Sequence, residues 1–343
     1  MTHELSGVEA YMRLDAPAFK CQESIPRKSH SPWRVPRVHY SAAMNPVSGA
    51  LRRFEIPGKA VFEPGSGALP RLAVNSSLAE AHIYLHGAHV THFQPGGAAP
   101  VLFLSGKSWF AAGKPIRGGV PVIFPWFGPH ASIPDAPAHG FARTADWEVE
   151  SLSIDGEDVV TAVFRLDPKQ ATHSAWPHDF ALQYRIEIGR TLTLTLEVEN
   201  TSSAPFPFEN ALHSYFAVGD VLQTTTTGLA QTSYLDKTDG MQRKIQGTEP
   251  IRITGETDRL FENSRAACVL DDASTGRKIT VEKSGSQTTV VWNPWTAKSA
   301  AMADFGADEW PQMLCIETAN AGANAILLPP GGKHVMRAVI SAQ

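Results

Sequence analysis

The sequence predicts an all-β protein, a large antiparallel β-sandwich. Three observations carry that expectation. Several short runs alternate apolar and polar residues, the period of a half-buried strand, with Leu192 to Asn200 the clearest case. Clusters of turn-forming residues recur about every ten residues, the spacing of short strands in a sandwich. No segment sustains the 3.6-residue period of an amphipathic helix.

Taken in order, residues 1 to about 50 stand apart. Lys28 to Arg37 is polar, basic and punctuated by proline, with no sustained periodicity. The first 50 residues are therefore expected to form a disordered extension, and residues 51–343 a single domain. Ala81 to His92 reads as two strands broken at Gly87. Val159 to Leu166 is a strand. Ala181 to Ile188 is another, joined by Gly189-Arg190 to Leu192–Asn200 as a hairpin. Lys278 to Glu282, Thr288 to Trp292 and Val335 to Ile340 complete the set.

Composition narrows the function. The 343 residues are 43% hydrophobic and 19% charged, ample for a core, and the net charge is −4. That balance gives no global reason to bind nucleic acid or an anionic membrane, so recognition of an anion has to be local. No apolar run approaches the roughly 20 residues of a membrane-spanning helix, and the first residues lack the basic-then-apolar layout of a secretory signal. The three cysteines, Cys21, Cys268 and Cys315, form no CxxC and no zinc spacing. A cytoplasmic, reducing setting is expected.

The chemistry concentrates in a few segments. His213, in Phe208-Glu209-Asn210-Ala211-Leu212-His213-Ser214-Tyr215-Phe216, offers an imidazole that is an acid near neutral pH. Glu317, in Cys315-Ile316-Glu317-Thr318-Ala319-Asn320, offers a carboxylate base. Each sits in an apolar, strand-like context where a titratable group is costly to bury without a partner or a purpose. Arg117, in Ile116-Arg117-Gly118-Gly119, lies among small residues that leave its guanidinium accessible for an oxyanion; a surface arginine on a loop is the plainer reading. His139 and Arg143, in His139-Gly140-Phe141-Ala142-Arg143, place a second histidine beside a second arginine; a turn with a satisfied histidine and a solvated arginine is the alternative. Asp258, in Glu256-Thr257-Asp258-Arg259, reads most simply as a turn residue paired with Arg259, and Asp236 likewise with Lys237. His82, His86, His89 and His92 invite a metal reading. In strands their spacing does not converge as on a helix, so structural roles are expected and no metal.

The ordered set IRGGVPVIFPWFG, HGFAR, FENALHSYFAVGD, ETDRLF, VVWNPW and CIETAN resembles the aldose 1-epimerase, or galactose mutarotase-like, superfamily, and within it the glucose-6-phosphate 1-epimerases, also called hexose-6-phosphate mutarotases. The resemblance spans roughly residues 54 to 340. It implies a large β-sandwich of the galactose mutarotase-like kind with a sugar site on the concave face of one sheet. It implies His213 as general acid, Glu317 as general base, and Arg117, His139, Arg143 and Asp258 as substrate-binding residues. It implies interconversion of the α and β anomers of a hexose 6-phosphate, glucose 6-phosphate favoured, with no cofactor. The expected partner is a small sugar phosphate, with no nucleic acid and no membrane, bound by a monomer. Relatives commonly carry Gln directly before the HGFAR histidine, where this chain has Ala138, which bears on sugar selectivity. Two other readings stay open: a mutarotase of non-phosphorylated aldoses, and a catalytically silent carbohydrate-binding sandwich. A glycoside hydrolase would need two carboxylates flanking the bond, and only one stands in a matching context.

Overall fold

A computed structural model describes residues 47–343. The expected disordered extension thus lies outside the described residues, apart from its last four. There Ser48 caps a short helix, Gly49–Arg52, and Val47 packs partly buried against the core.

Two large antiparallel sheets dominate. The nine-stranded sheet runs in the order Ile251–Arg252, Thr224–Thr227, Cys268–Asp272, Arg277–Ser284, Lys333–Ala342, Leu192–Asn200, Phe180–Ile188, Val160–Leu166 and Glu148–Ile154. The eight-stranded sheet runs Gln242–Ile245, Ser233–Asp236, Thr257–Glu262, Thr288–Asn293, Met313–Asn320, Asn210–Leu212 and Val122–Ile123, with Tyr215–Ala217 also paired to Met313–Asn320. A four-stranded sheet, Ala60–Pro64 through His89–Pro95, and the ribbon of Phe206–Phe208 with Ile326–Leu328 complete the architecture. The antiparallel all-β sandwich expected from the sequence is present. Every strand named above on periodicity is found, with ends shifted by at most three residues.

Alternation sets which face each residue takes. In Leu192–Asn200, Leu192, Leu194, Leu196 and Val198 are fully buried. Across from them, Phe216, Phe261, Val291, Leu314 and Ile316 of the eight-stranded sheet join the same apolar cluster, which is the sandwich core. Successive side chains in a strand point to opposite faces. The residues between those core positions, Tyr215, Leu260, Val290, Trp292 and Cys315, therefore form a separate cluster on the sheet's other face. Glu317 stands directly opposite Val290, and Asp258 opposite Trp292, so both acids share that second face.

Candidate active site

The strand Met313–Asn320 supplies Glu317 from a position where every residue is buried. Its neighbour is interrupted. Leu212 pairs with Thr318 and Tyr215 with Cys315, but His213 and Ser214 lie between two short strands. The His213 N–H donates instead to the Pro121 carbonyl, at 3.1 Å. This break lets the imidazole leave the ladder and meet Glu317, with His213 Nε2 lying 3.4 Å from Glu317 Oε1. Both side chains are almost completely buried. His213 Nδ1 and Glu317 Oε2 have no hydrogen-bond partner among the described residues. An orphaned buried polar atom costs about 1–3 kcal/mol, so the arrangement is poor as pure scaffolding. Acid and base thus touch one another and leave their other polar atoms unpaired.

Aromatic rings fix the imidazole. Tyr215 stacks on His213 with centroids 4.7 Å apart and planes 10° from parallel, and Trp292 meets it edge-on at 6.0 Å. On the other side His139 meets His213 at 5.7 Å, and Phe127 meets His139 at 4.9 Å. His139 Nδ1 accepts the Gly128 N–H at 3.2 Å. That bond needs an unprotonated Nδ1, so His139 is neutral with its proton on Nε2. Burial, with Arg143 nearby, pushes it the same way, well below the ordinary histidine range.

The HGFAR turn explains its glycine. Gly140 has φ +69°, and an added Cβ would lie 2.0 Å from the Phe124 carbonyl oxygen. The preceding His139 also has positive φ, 66°, a conformation that costs a non-glycine residue free energy. In the IRGG turn, a Cβ on Gly119 would approach the Val90 oxygen to 2.2 Å. Both turns thereby set a loop tightly against the sheet.

The two arginines behave differently. Arg117 is not open, contrary to the expectation from its small neighbours. Its Nε and Nη2 donate to Asp304 Oδ2 at 3.2 and 3.0 Å, and its Nη1 donates to the Tyr215 hydroxyl at 3.1 Å. Burial opposes its charge, but Tyr215 and Asp304 more than offset this, and its pKa is raised. Arg143 is buried rather than solvated, and no carboxylate pairs with it among the described residues. Its Nη2 donates to the Ala138 carbonyl at 2.7 Å, and its Nε has no partner there. Burial and the Arg117 charge push its pKa down to about 10. Because the Ala138 contact uses backbone, the missing Gln side chain at that position does not affect it.

Asp258 does not pair with Arg259. Adjacent strand residues face opposite ways; Arg259 lies over the Tyr234 ring, and Asp258 meets Lys237 Nζ at 3.3 Å. Burial raises the Asp258 pKa, and Lys237 works against that rise. Asp236 pairs with Lys244 at 2.8 Å instead of Lys237.

The four clustered histidines have structural partners. His82 and His92 face one another across two strands with centroids 5.1 Å apart, and His86 contacts Asp146 and the Lys114 carbonyl. His89 contacts the Gly118 carbonyl at 2.7 Å. Among the described residues no three His, Cys, Asp or Glu side chains group as a metal set.

Three functional candidates escaped the sequence reading: Tyr215, Asp304 and Lys237. Tyr215 had a signal, since it lies two residues after His213. Asp304 sits in irregular chain and had none. Lys237 looked like the surface partner of a turn aspartate.

Electrostatically the pair is well matched for proton transfer. Burial holds the Glu317 carboxyl well above its ordinary range, with Lys237 pulling the other way. Burial and the nearby cations Arg143, Arg117 and Lys237 hold His213 well below its own. A raised carboxylate is a stronger base and a depressed imidazolium a stronger acid. Held at 3.4 Å in an aromatic frame, the two can exchange protons with hydroxyl and ether oxygens of a small ligand.

The sequence model of the aldose 1-epimerase family matches residues 72–341. A Salmonella typhimurium protein provisionally named glucose-6-phosphate 1-epimerase is 35% identical over 74% of this chain and 84% of its own length. A similarly named Escherichia coli protein is 34% identical over 79% of this chain and 90% of its own length. Among solved structures, a provisionally named mutarotase from Salmonella typhimurium superposes with TM-score 0.77 at 30% identity, covering 84% of this chain and 95% of that one. A galactose 1-epimerase from Lactobacillus acidophilus, at 14% identity, shares the fold with TM-score 0.62 over 83% of this chain and 98% of its own.

Proposed function

The chain belongs to the aldose 1-epimerase family, and from that premise we propose that it interconverts the α and β anomers of a hexose 6-phosphate, with glucose 6-phosphate the favoured substrate. The observation that carries the reading is the buried His213–Glu317 contact at 3.4 Å, with one unpaired polar atom on each side chain.

The pair shares one proton. In the ion-pair form His213 is charged and Glu317 is a carboxylate. Glu317 takes the proton of the C1 hydroxyl while His213 gives its proton to the ring oxygen, and the ring opens. The pair is then neutral, with the carboxyl protonated. The C1–C2 bond turns, and the reverse transfers close the ring on the other face. Proton count and charge balance at each step. Burial of both groups favours the neutral form, so it lowers the cost of the first transfer. A positioned acid or base of this kind is typically worth about 10²–10⁴-fold.

The phosphate part rests on two cations facing this region, the partly buried Arg117 and the buried Arg143, and on the provisional names of the relatives above. One observation favours the other reading, a mutarotase of free aldoses: the Arg117 fork is already engaged by Asp304. The deciding experiment is anomer exchange measured by NMR on glucose 6-phosphate, glucose and galactose. Faster exchange on glucose 6-phosphate is expected. Equal rates would transfer the assignment to free aldoses, and no acceleration on any sugar would leave a binding protein. Among the described residues no helix is long and apolar enough to cross a membrane. The reading proposed here is of a cytoplasmic monomer acting on a sugar phosphate.

A further inference from the structure

Lys237 belongs to none of the sequence motifs, yet it lies on the same chain of contacts as the acid and base. Its backbone is anchored: Asp236 accepts the Thr238 N–H at 3.1 Å and is itself held by Lys244 at 2.8 Å. Its ammonium sits over the Phe127 ring, 5.0 Å from the centroid. Phe127 is fixed in turn, since its N–H donates to Glu209 Oε2 at 2.7 Å. The Phe127 ring meets His139, which meets His213. Lys237 thus stands at one end of an arc whose centre is His213 and whose other end is Arg117.

We propose that Lys237 is a specificity-determining residue of this site, its ammonium leaving Asp258 to bind the phosphate of the sugar. The proposal rests on the phosphorylated-sugar reading above and deepens it. Three cations compete for the role. Arg117 donates two hydrogen bonds to Asp304 and a third to Tyr215, so it would have to give up charge-assisted bonds to turn. Arg143 is nearly sealed and tied to the Ala138 carbonyl. Lys237 has a single carboxylate contact, at 3.3 Å, and its side chain is 26% exposed, the most open of the three. An ammonium on a four-carbon stem re-aims more readily than a guanidinium fork fixed at three nitrogens.

Charge balance points the same way. Arg117, Arg143 and Lys237 face two carboxylates outside the proton-sharing pair, Asp304 and Asp258, and the nearby Lys298 is matched by Glu256 at 2.9 Å. Removing Lys237 takes one positive charge from this group before a phosphate of nearly two negative charges arrives.

The test uses the full chain and two variants, Lys237→Met and Lys237→Arg, with anomer exchange on glucose 6-phosphate and on glucose, and inorganic phosphate as inhibitor of the glucose reaction. Lys237→Met should raise the KM for glucose 6-phosphate about tenfold or more, the loss of one charge-assisted contact. The glucose KM should rise much less, inhibition by phosphate should weaken, and kcat on glucose 6-phosphate should fall only slightly. Lys237→Arg should recover part of the phosphate preference. Equal weakening on both sugars would mean that Lys237 only holds Asp258 in place, and would overturn the proposal. So would a Lys237→Met protein that keeps the wild-type phosphate preference. If the wild type itself shows no such preference, the phosphorylated-sugar reading falls and takes this proposal with it, an outcome the wild-type measurement alone distinguishes.

Discussion

Glu317 and His213 meet through one oxygen and one nitrogen, 3.4 Å apart, and leave their other polar atoms unpaired in a buried site. In the proposed reaction the contact serves as a reservoir for one proton. Its charged and neutral forms have the same net charge, and burial favours the neutral one by raising the carboxyl and lowering the imidazole.

Glu317→Gln removes the base and keeps the shape. Anomer exchange should fall by about 10²–10⁴-fold. Stability should move the other way, and its pH dependence gives the sign. The folded-state pKa of Glu317 is raised, so its favourable contribution is full below the ordinary carboxylate value, 4.5, and is lost as pH rises through the folded pKa. The variant should therefore melt higher than wild type at pH 7 to 8, with the difference vanishing near pH 4. A variant that melts lower at every pH would show that the carboxylate is structural.

A proton-sharing pair also fixes the shape of the rate profile. Below its active range the pair takes a second proton and Glu317 can no longer accept one. Above it the last proton is lost and His213 can no longer donate. The plot of kcat/KM against pH should be bell-shaped, with limbs that belong to the pair and not to either residue. A rate that keeps rising to pH 9 would exclude His213 as the acid.

Gly140→Ala tests the turn that carries His139 and Arg143. The backbone there has φ +69°, and the new Cβ would press on the Phe124 oxygen at 2.0 Å. A loss of about 1–3 kcal/mol in unfolding free energy is expected, measured by urea titration. Activity should fall further than stability explains, because the turn positions the His139 ring against His213.

Much of this was legible in the sequence because strands write their faces in period two. Leu192–Asn200 could be placed residue by residue, and so could the hairpin before it. His213 and Glu317 were legible because a titratable group in an apolar strand context demands a reason. The partners of charges were not. Asp258 seemed to belong with Arg259, yet neighbours in a strand face apart, and its partner Lys237 comes from beyond a different strand. Arg117 seemed open because Gly118 and Gly119 are small, but the acid that closes it, Asp304, lies 187 positions away in irregular chain. Such pairings are fixed by the folded arrangement of loops, which carries no periodic signal.

The two arginines should separate by experiment. A clamp built from equivalent arginines would lose phosphate affinity equally when either is removed. Here Arg117 is charge-balanced by Asp304, whereas Arg143 carries a charge that no carboxylate matches among the described residues, and its Nε is unpaired. A phosphate held by Lys237 gains in addition from the unmatched charge of Arg143, which stays bonded to the Ala138 carbonyl. Arg143→Ala should weaken glucose 6-phosphate by roughly 10- to 100-fold, the value of a charge-assisted hydrogen bond, and free glucose by less. Arg117→Ala strips Tyr215 of its donor and leaves Asp304 as a buried, unpaired carboxylate. Its losses should be similar on both sugars and partly relieved by adding Asp304→Asn, a coupling that a double-mutant cycle on KM would read directly. If Arg117→Ala proved the more phosphate-selective variant, Arg117 would have to abandon Asp304 on binding, and the division of labour argued here would be reversed.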